Sequence, residues 1–125
     1  MADIKLIEEL TNAFGPSGFE EEVCRAIYRN TSEFQVSNDA MCNVYMKRKD
    51  FSRRKPVLML DAHLDECGFM VQSIRENGLL NILTLGGIHL TSLPAHSVII
   101  KNGEGEKIKG IITSKPVHFL KDSEK

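Results

Sequence analysis

The stretch LMLDAHLDECGFMV, residues 58–71, places His63, Asp65, Glu66 and Cys67 between two apolar runs. With Pro56 and Val57 added, its first part reads PVLMLDA (56–62), an apolar run with few polar interruptions. Such a run predicts a strand buried on both faces, as in the middle of a mostly parallel sheet under helices. In open α/β sheets, ligands bind beyond the carboxyl ends of the strands. His63 and Asp65 therefore stand where a functional group is expected.

The pair His63 and Asp65 has the chemistry of a metal ligand and its support. A histidine binds zinc through one ring nitrogen, and a carboxylate that accepts the other N–H fixes the tautomer and makes the ring a better ligand. Asp65 can do this if the backbone is kinked, whereas Glu66 would point elsewhere in an extended chain. The alternative is an ordinary polar turn, in which a strand-end histidine bonds to a surface carboxylate. These residues alone leave both interpretations open.

On the N-terminal side, the sequence predicts two helices and a hairpin. Asp3 is expected to cap a first helix that Gly15 and Pro16 end, and Ser17 with Glu20 has the spacing of a capping box for a second helix. The GPSGFE segment between them is either a helix-turn-helix joint or a segment with a direct role. The second helix should run to about Asn30 and bury four apolar residues: Phe19, Val23, Ala26 and Ile27. Alternation in FQVSND and NVYMKR predicts a β-hairpin.

On the C-terminal side, the pattern predicts a small antiparallel β unit. Four strand candidates follow Gly68, namely GFMVQSI, LLNILTL, HSVII and KIKGII, and Asn77-Gly78 favours a type I′ hairpin turn. We expect an α/β class with two parts, residues 1–72 from an α/β domain and residues 73–125 from a β-rich domain.

The composition excludes several function classes. The 125 residues carry 16 basic and 17 acidic side chains and are 42% hydrophobic, without a basic stripe for nucleic acid or an apolar run long enough to span a membrane. The N-terminus lacks the pattern of a signal peptide, and three widely spaced cysteines favour reduced thiols. These features predict a cytoplasmic protein that binds neither nucleic acid nor membrane.

The remaining candidates for chemistry are weaker. His89 and His96 are seven apart, which is no recognised ligand spacing, so they are interpreted as loop residues; His118 is interpreted as structural. Cys67 is expected to be a small core residue. The glycines at 103, 105 and 110 do not fit a phosphate-binding loop and predict a hairpin turn with a strand glycine.

Six segments in one order carry a resemblance: FGPSGFEEEV (14–23), SNDAMCNVYMKRK (37–49), VLMLDAHLDECGFMVQSI (57–74), LGGI (85–88), VII with GEKIKGII (98–112), and KPVHFL (115–120). Together they resemble the N-terminal part of the M42 family of metallo-aminopeptidases, which includes the glutamyl and tetrahedral aminopeptidases. The resemblance implies a zinc-peptidase-like α/β domain interrupted by a β-rich dimerisation domain, with dimers that assemble into a dodecamer.

The resemblance also implies a site and a reaction on peptide substrates. Two divalent metal ions, Zn or Co, would activate a water and polarise the scissile carbonyl. His63 would be a ligand of one metal, and Asp65 would be the catalytic-site carboxylate that orients it. The family usually has Gly where Cys42 stands, which makes a positive φ there an open question.

The resemblance places the other ligands and the glutamate base further along the chain of family members. We therefore expect this chain to be an N-terminal segment that is inactive alone. Two alternatives are a non-catalytic assembly module and, less favoured, a metallo-hydrolase such as a glycosidase. A glycosidase needs two carboxylates that flank the bond, and adjacent Asp65 and Glu66 do not suit that role.

Overall fold

The structure of the chain is a computed structural model, which describes residues 3–54 and 56–114. Its residues fall into two compact units, 1–87 and 88–125. Helices and strands are mixed, as the predicted α/β class requires. Within the described ranges, no helix has both the length and the apolar character needed to cross a membrane.

The first helix, α1 (Ile4–Asn12), begins as predicted. The Asp3 carboxylate accepts hydrogen bonds from the backbone N–H groups of Lys5 and Leu6, at 3.1 and 3.3 Å. These two donors have no partner inside the helix, so the cap satisfies groups that would otherwise need water.

The second helix, α2 (Glu21–Asn30), ends where predicted, but the capping box is wrong. Gly18 has a φ of 88° and the Phe19 N–H donates to the Pro16 carbonyl at 2.8 Å, so residues 16–19 form a tight turn. A turn with a positive φ at its third residue needs glycine there. This turn moves the helix start to Glu21, and the carboxylate of the preceding Glu20 accepts from the Gly18 N–H at 2.8 Å. Ser17 therefore lies in the turn and caps nothing.

A small core lies along α2. Its buried hydrophobic members among the described residues are Val23, Cys24, Ala26 and Ile27, all on one face of α2. Three of the four predicted core residues are confirmed. Phe19 is wrong, because the tight turn before α2 leaves its side chain 46% exposed.

The predicted hairpin is confirmed as β1 (Phe34–Asn38) paired with β2 (Val44–Arg48), with Phe34 opposite Arg48. Asp39 organises the turn: its carboxylate accepts from the backbone N–H groups of Met41 and Asn43 at 2.9 and 3.0 Å. The Asn43 amide and the Tyr45 hydroxyl also donate to Asp39. Cys42 has a φ of 61°, so the positive φ is kept even though glycine is absent.

The apolar run before His63 is not the buried strand that the sequence predicts. Residues 56–62 have no strand pairing, and Val57, Leu58, Met59 and Leu60 are between 58% and 88% exposed. An extended segment becomes a buried strand only when neighbouring strands take its backbone hydrogen bonds and helices cover its faces. No such neighbour lies beside it among the residues that the structure describes.

Two further hairpins follow. Strands β3 (Gly68–Ile74) and β4 (Leu80–Leu85) pair in the first unit, and β5 (Ser97–Lys101) and β6 (Lys107–Ile111) pair in the second, after a short 3₁₀ helix at Leu90–Ser92. All four strand predictions are confirmed. In the described part of the chain, the named strands form three separate two-stranded antiparallel sheets.

The type I′ turn predicted at Asn77-Gly78 is wrong. Gly78 has a φ of 82°, but Asn77 is not among the residues with positive φ. The Gly78 N–H donates to the Arg75 carbonyl, and the Arg75 N–H donates to the Leu79 carbonyl. This is a three-residue loop in which a type I turn is followed by a left-handed glycine. The same bonding joins Asn102, Gly105 and Glu106, which confirms the hairpin predicted for those glycines.

Candidate functional site

His63 and Asp65 are in direct contact. The His63 Nδ1 atom lies 2.9 Å from the Asp65 carbonyl oxygen and 3.2 Å from the Asp65 Oδ1 atom. Both neighbours are acceptors, so Nδ1 must carry the proton, and in the neutral ring the lone pair then belongs to Nε2. The imidazole is 85% exposed and the Asp65 side chain is 41% exposed. Nε2 is therefore the nitrogen that can bind a metal ion, on a ring that is largely exposed.

The contact forms in a segment that is not part of a paired strand. Residues 61–65 are outside any regular element, and this lets the side chain of Asp65 turn back toward a ring two residues earlier. In a flat strand, the side chains of residues i and i+2 stand parallel on one face, and the carbonyl of i+2 would not meet the ring.

The next residue, Glu66, connects the site to the loop between the helices. Its backbone N–H donates to the Gly15 carbonyl at 2.8 Å, and its Oε1 accepts from the Gly15 N–H at 3.2 Å. Pro16 and Glu66 also form an isolated parallel bridge. The GPSG segment thus holds the site segment as well as joining two helices. The sequence carries no signal for this contact, because 51 residues separate its partners.

The described residues provide only one candidate metal ligand at this place. Across residues 3–54 and 56–114, no group of three or more His, Cys, Asp or Glu side chains comes together. Zinc sites use about three or four protein ligands. His63 fits the role of one member of such a set, with its second nitrogen held by a carboxylate as metal-binding histidines require.

The neighbouring cysteine does not join the site or the core. Cys67 is exposed, and its Sγ atom lies 3.9 Å from the Gly87 carbonyl oxygen. The prediction of a small core residue is therefore wrong. Gly86 leaves room for the sulfur, since a Cβ atom on Gly86 would lie 3.2 Å from it.

The other predicted loop histidines are confirmed as such. His89 precedes the 3₁₀ helix, and its carbonyl accepts from the Ser92 hydroxyl at 2.8 Å. His96 makes a ring contact of 3.2 Å to the Leu93 carbonyl. His118 lies outside the described residues.

Hydrogen bonds and burial shift the pKa values of groups in the helices and in the β1–β2 hairpin. The hydrogen bond from Asn43 lowers the pKa of the Asp39 carboxyl, with further lowering by the backbone N–H groups of Asn43 and Met41. Hydrogen bonds from Arg29 and Asn30 lower the pKa of Glu9. The same hydrogen bonds connect α1 to α2. Burial raises the pKa of the Cys24 thiol. These groups belong to the β1–β2 turn and to the helix pair, and the hydrogen bonds of Asp39 and Glu9 stabilise those elements.

Comparison with known proteins places this geometry in a family. The family model for M42 glutamyl aminopeptidases matches residues 42–125. The chain is 36% identical to the putative aminopeptidase FrvX of Escherichia coli K12 over 126 residues, which cover 98% of this chain and 34% of that protein.

Two solved structures illustrate the similarity in fold. One is the TET aminopeptidase of the marine sediment archaeon Thaumarchaeota archaeon SCGC AB-539-E09, with a TM-score of 0.85, 36% identity, and coverage of 97% of this chain and 34% of that one. The other is PhTET1-12s, a dodecamer in the asymmetric unit, with a TM-score of 0.74, 25% identity, and coverage of 94% and 35%. The chain thus spans about a third of the length of the relatives it matches. These similarities agree with the six sequence segments that occur in the family's order. The chain therefore belongs to the M42 family of aminopeptidases.

Proposed function

We propose that this chain is the N-terminal part of a metal-dependent aminopeptidase that removes N-terminal residues from peptides. His63 is proposed as a ligand of one of two divalent ions, Zn or Co, and Asp65 as the carboxylate that orients it. The observation that supports this is the contact of Nδ1 with two Asp65 oxygens, which leaves the Nε2 lone pair to bind a metal ion.

Each residue has a separate task in this proposal. The ions, when bound, supply an activated water and a polarised scissile carbonyl. Asp65 keeps the proton on Nδ1, so that the ring enters the metal site in the binding tautomer, with Nε2 available as the ligand atom. The remaining ligands and the glutamate base are expected outside residues 3–54 and 56–114.

The assembly and location form part of the same proposal. Residues 1–72 are proposed to belong to the catalytic domain and residues 73–125 to a dimerisation domain, with dimers building a dodecamer. The dodecameric similar structure PhTET1-12s supports the assembly. A cytoplasmic location is supported by three cysteines that are all free thiols, since disulfides are rare in reducing compartments.

The test is an assay of the full-length gene product on aminoacyl-p-nitroanilides, with and without a chelator. Activity should disappear with the chelator and return with Zn²⁺ or Co²⁺. His63→Ala should abolish it, and Asp65→Asn should lower metal affinity by about 10–100-fold, as is typical when the partner of a metal-bound histidine is lost. Chelator-insensitive activity, or no activity with either metal, would show that the proposal is wrong.

A non-catalytic assembly module is the second candidate. It is favoured by the single candidate ligand among the described residues and by exposed apolar side chains on both strands of the β3–β4 hairpin, such as Val71 and Leu83. The mass of the native protein separates the two candidates. A native product of 14.0 kDa favours the module, and a product about three times heavier favours the enzyme.

A further inference from the structure

The contact between Glu66 and Gly15 links the His63 segment to the helical core. Glu66 uses both its backbone N–H, at 2.8 Å from the Gly15 carbonyl, and its side chain, at 3.2 Å from the Gly15 nitrogen. Gly15 therefore has its donor and its acceptor engaged by one residue. A two-way bond of this kind fixes the orientation of both backbones and not only their distance.

Close packing beside the Gly15–Glu66 hydrogen bonds restricts movement of the 15–18 loop against the segment that carries His63. A Cβ atom on Gly15 would lie 2.5 Å from the Val23 Cγ2 atom, and a Cβ atom on Gly68 would lie 2.9 Å from the Pro16 Cβ atom. Gly15, Pro16 and Gly68 are all buried, although Glu66 itself is on the surface. The loop thus rests on α2, and the segment that carries His63 rests on the loop.

His63 depends on this anchor for its orientation. Within the described part of the chain, the polar contacts of the exposed ring go to Asp65, through its carbonyl and its carboxylate. The peptide group that supplies this carbonyl is the one whose N–H belongs to Glu66. Since that N–H is bonded to Gly15, the Asp65 carbonyl must point in the opposite direction, toward the His63 ring.

We propose that Glu66 is a positioning residue for His63, acting through the backbone of Asp65 and the Gly15 anchor. This rests on the function proposed above, because it concerns the same metal ligand. The carboxylate does not bind the ion. Its hydrogen bond to Gly15 holds the shared peptide plane, and that plane aims the imidazole.

The test compares three variants of the full-length protein. Glu66→Ala removes the acceptor for the Gly15 N–H, whereas Glu66→Gln keeps an amide oxygen in its place. Glu20→Ala is the matched control, because Glu20 also accepts a backbone N–H of this loop, from Gly18 at 2.8 Å, but has no contact of that kind with residues 63–66. Zn²⁺ affinity is measured by competition with a chromophoric chelator, and the free energy of unfolding by urea denaturation.

Glu66→Ala should weaken Zn²⁺ binding by about tenfold or more, as is typical when an outer partner of a metal site is mutated. Glu66→Gln should restore most of the affinity, and Glu20→Ala should leave it unchanged. In the metal-free protein, Glu66→Ala should also speed hydrogen exchange of the Gly15 amide, which is read by NMR without any metal. Wild-type affinity in Glu66→Ala, or an equal loss in Glu20→Ala, would overturn the proposal. So would a Glu66→Gln variant that binds as poorly as Glu66→Ala.

His63→Ala separates this proposal from the one on which it rests. If His63→Ala keeps wild-type Zn²⁺ affinity, His63 is not a ligand, and both proposals fail. If His63→Ala loses affinity while Glu66→Ala keeps it, only the positioning role fails. A loss of unfolding free energy in Glu66→Ala with unchanged affinity would assign Glu66 a purely structural role and would also overturn the proposal.

Discussion

Substituting Gly68 by alanine tests the packing that supports the His63 segment. The new Cβ atom would lie 2.9 Å from the Cβ atom and 3.1 Å from the Cγ atom of Pro16. Carbon atoms pack best at about 3.5–4.0 Å, so the overlap is about 0.6 Å or more. Pro16 cannot yield easily, since its ring is rigid, its carbonyl accepts the Phe19 N–H at 2.8 Å, and it bridges to Glu66.

The size of the effect follows from two opposing contributions. Overpacking of a buried contact typically costs about 1–3 kcal/mol. Replacing glycine by alanine also restricts the unfolded chain, which stabilises a protein by about 0.4–1 kcal/mol where the backbone accepts the new residue. Gly87→Ala is the matched control, because Gly87 has no heavy atom within 4 Å of its Cβ position and no positive φ. The difference between the two variants therefore isolates the packing cost, about 1–3 kcal/mol.

The assay is urea denaturation of the full-length protein and the two variants, with the free energy of unfolding obtained by linear extrapolation. We expect Gly68→Ala to be less stable than Gly87→Ala by that difference, with unchanged slopes. Ordinary surface substitutions change the free energy of unfolding by up to about 0.5 kcal/mol. A difference between the two variants below that value would refute the tight contact between Pro16 and Gly68.

Three other predictions concern the helical core and the β1–β2 turn. Ile27→Ala should cost about 2–4 kcal/mol of unfolding free energy because it empties the small core on α2, whereas Ile4→Ala on the exposed start of α1 should cost little; equal losses would contradict the core assignment. Cys42→Val should cost about 1–2 kcal/mol, since a β-branched residue tolerates the φ of 61° poorly, while Cys42→Gly should not destabilise the hairpin turn, and urea midpoints compare them. The lowered pKa of Asp39 means that its stabilising contribution is present above the unfolded carboxyl value of 3.8 and is lost as the pH falls through the lower folded value. The stability difference between wild type and Asp39→Ala should therefore shrink on acidification from pH 6 to below that window; a difference independent of pH would contradict the assignment of Asp39 as the charged acceptor of the turn.

The elements that the sequence predicts well are those whose partners are local. The Asp3 cap acts within three residues, and the hairpins close over short loops, so spacing and alternation are enough to find them. The errors occur where a local rule had a competitor. Gly18 allowed a tight turn that displaced the capping box, and a single left-handed glycine at position 78 replaced the type I′ turn.

The candidate site also has a local part that the sequence predicts and a non-local part that it does not. The sequence by itself brings His63 and Asp65 together, because only one residue lies between them and the contact is local. The tertiary structure alone decided that the GPSG loop anchors this segment, since Gly15 and Glu66 are 51 residues apart and a hydrogen bond between backbones leaves no mark on side-chain pattern. It also decides whether residues 57–60 are covered, and in this structure they are exposed. An apolar run favours burial, but a strand is buried only when neighbouring strands pair with it and helices cover it. Those neighbours depend on the whole fold and cannot be found in the run itself.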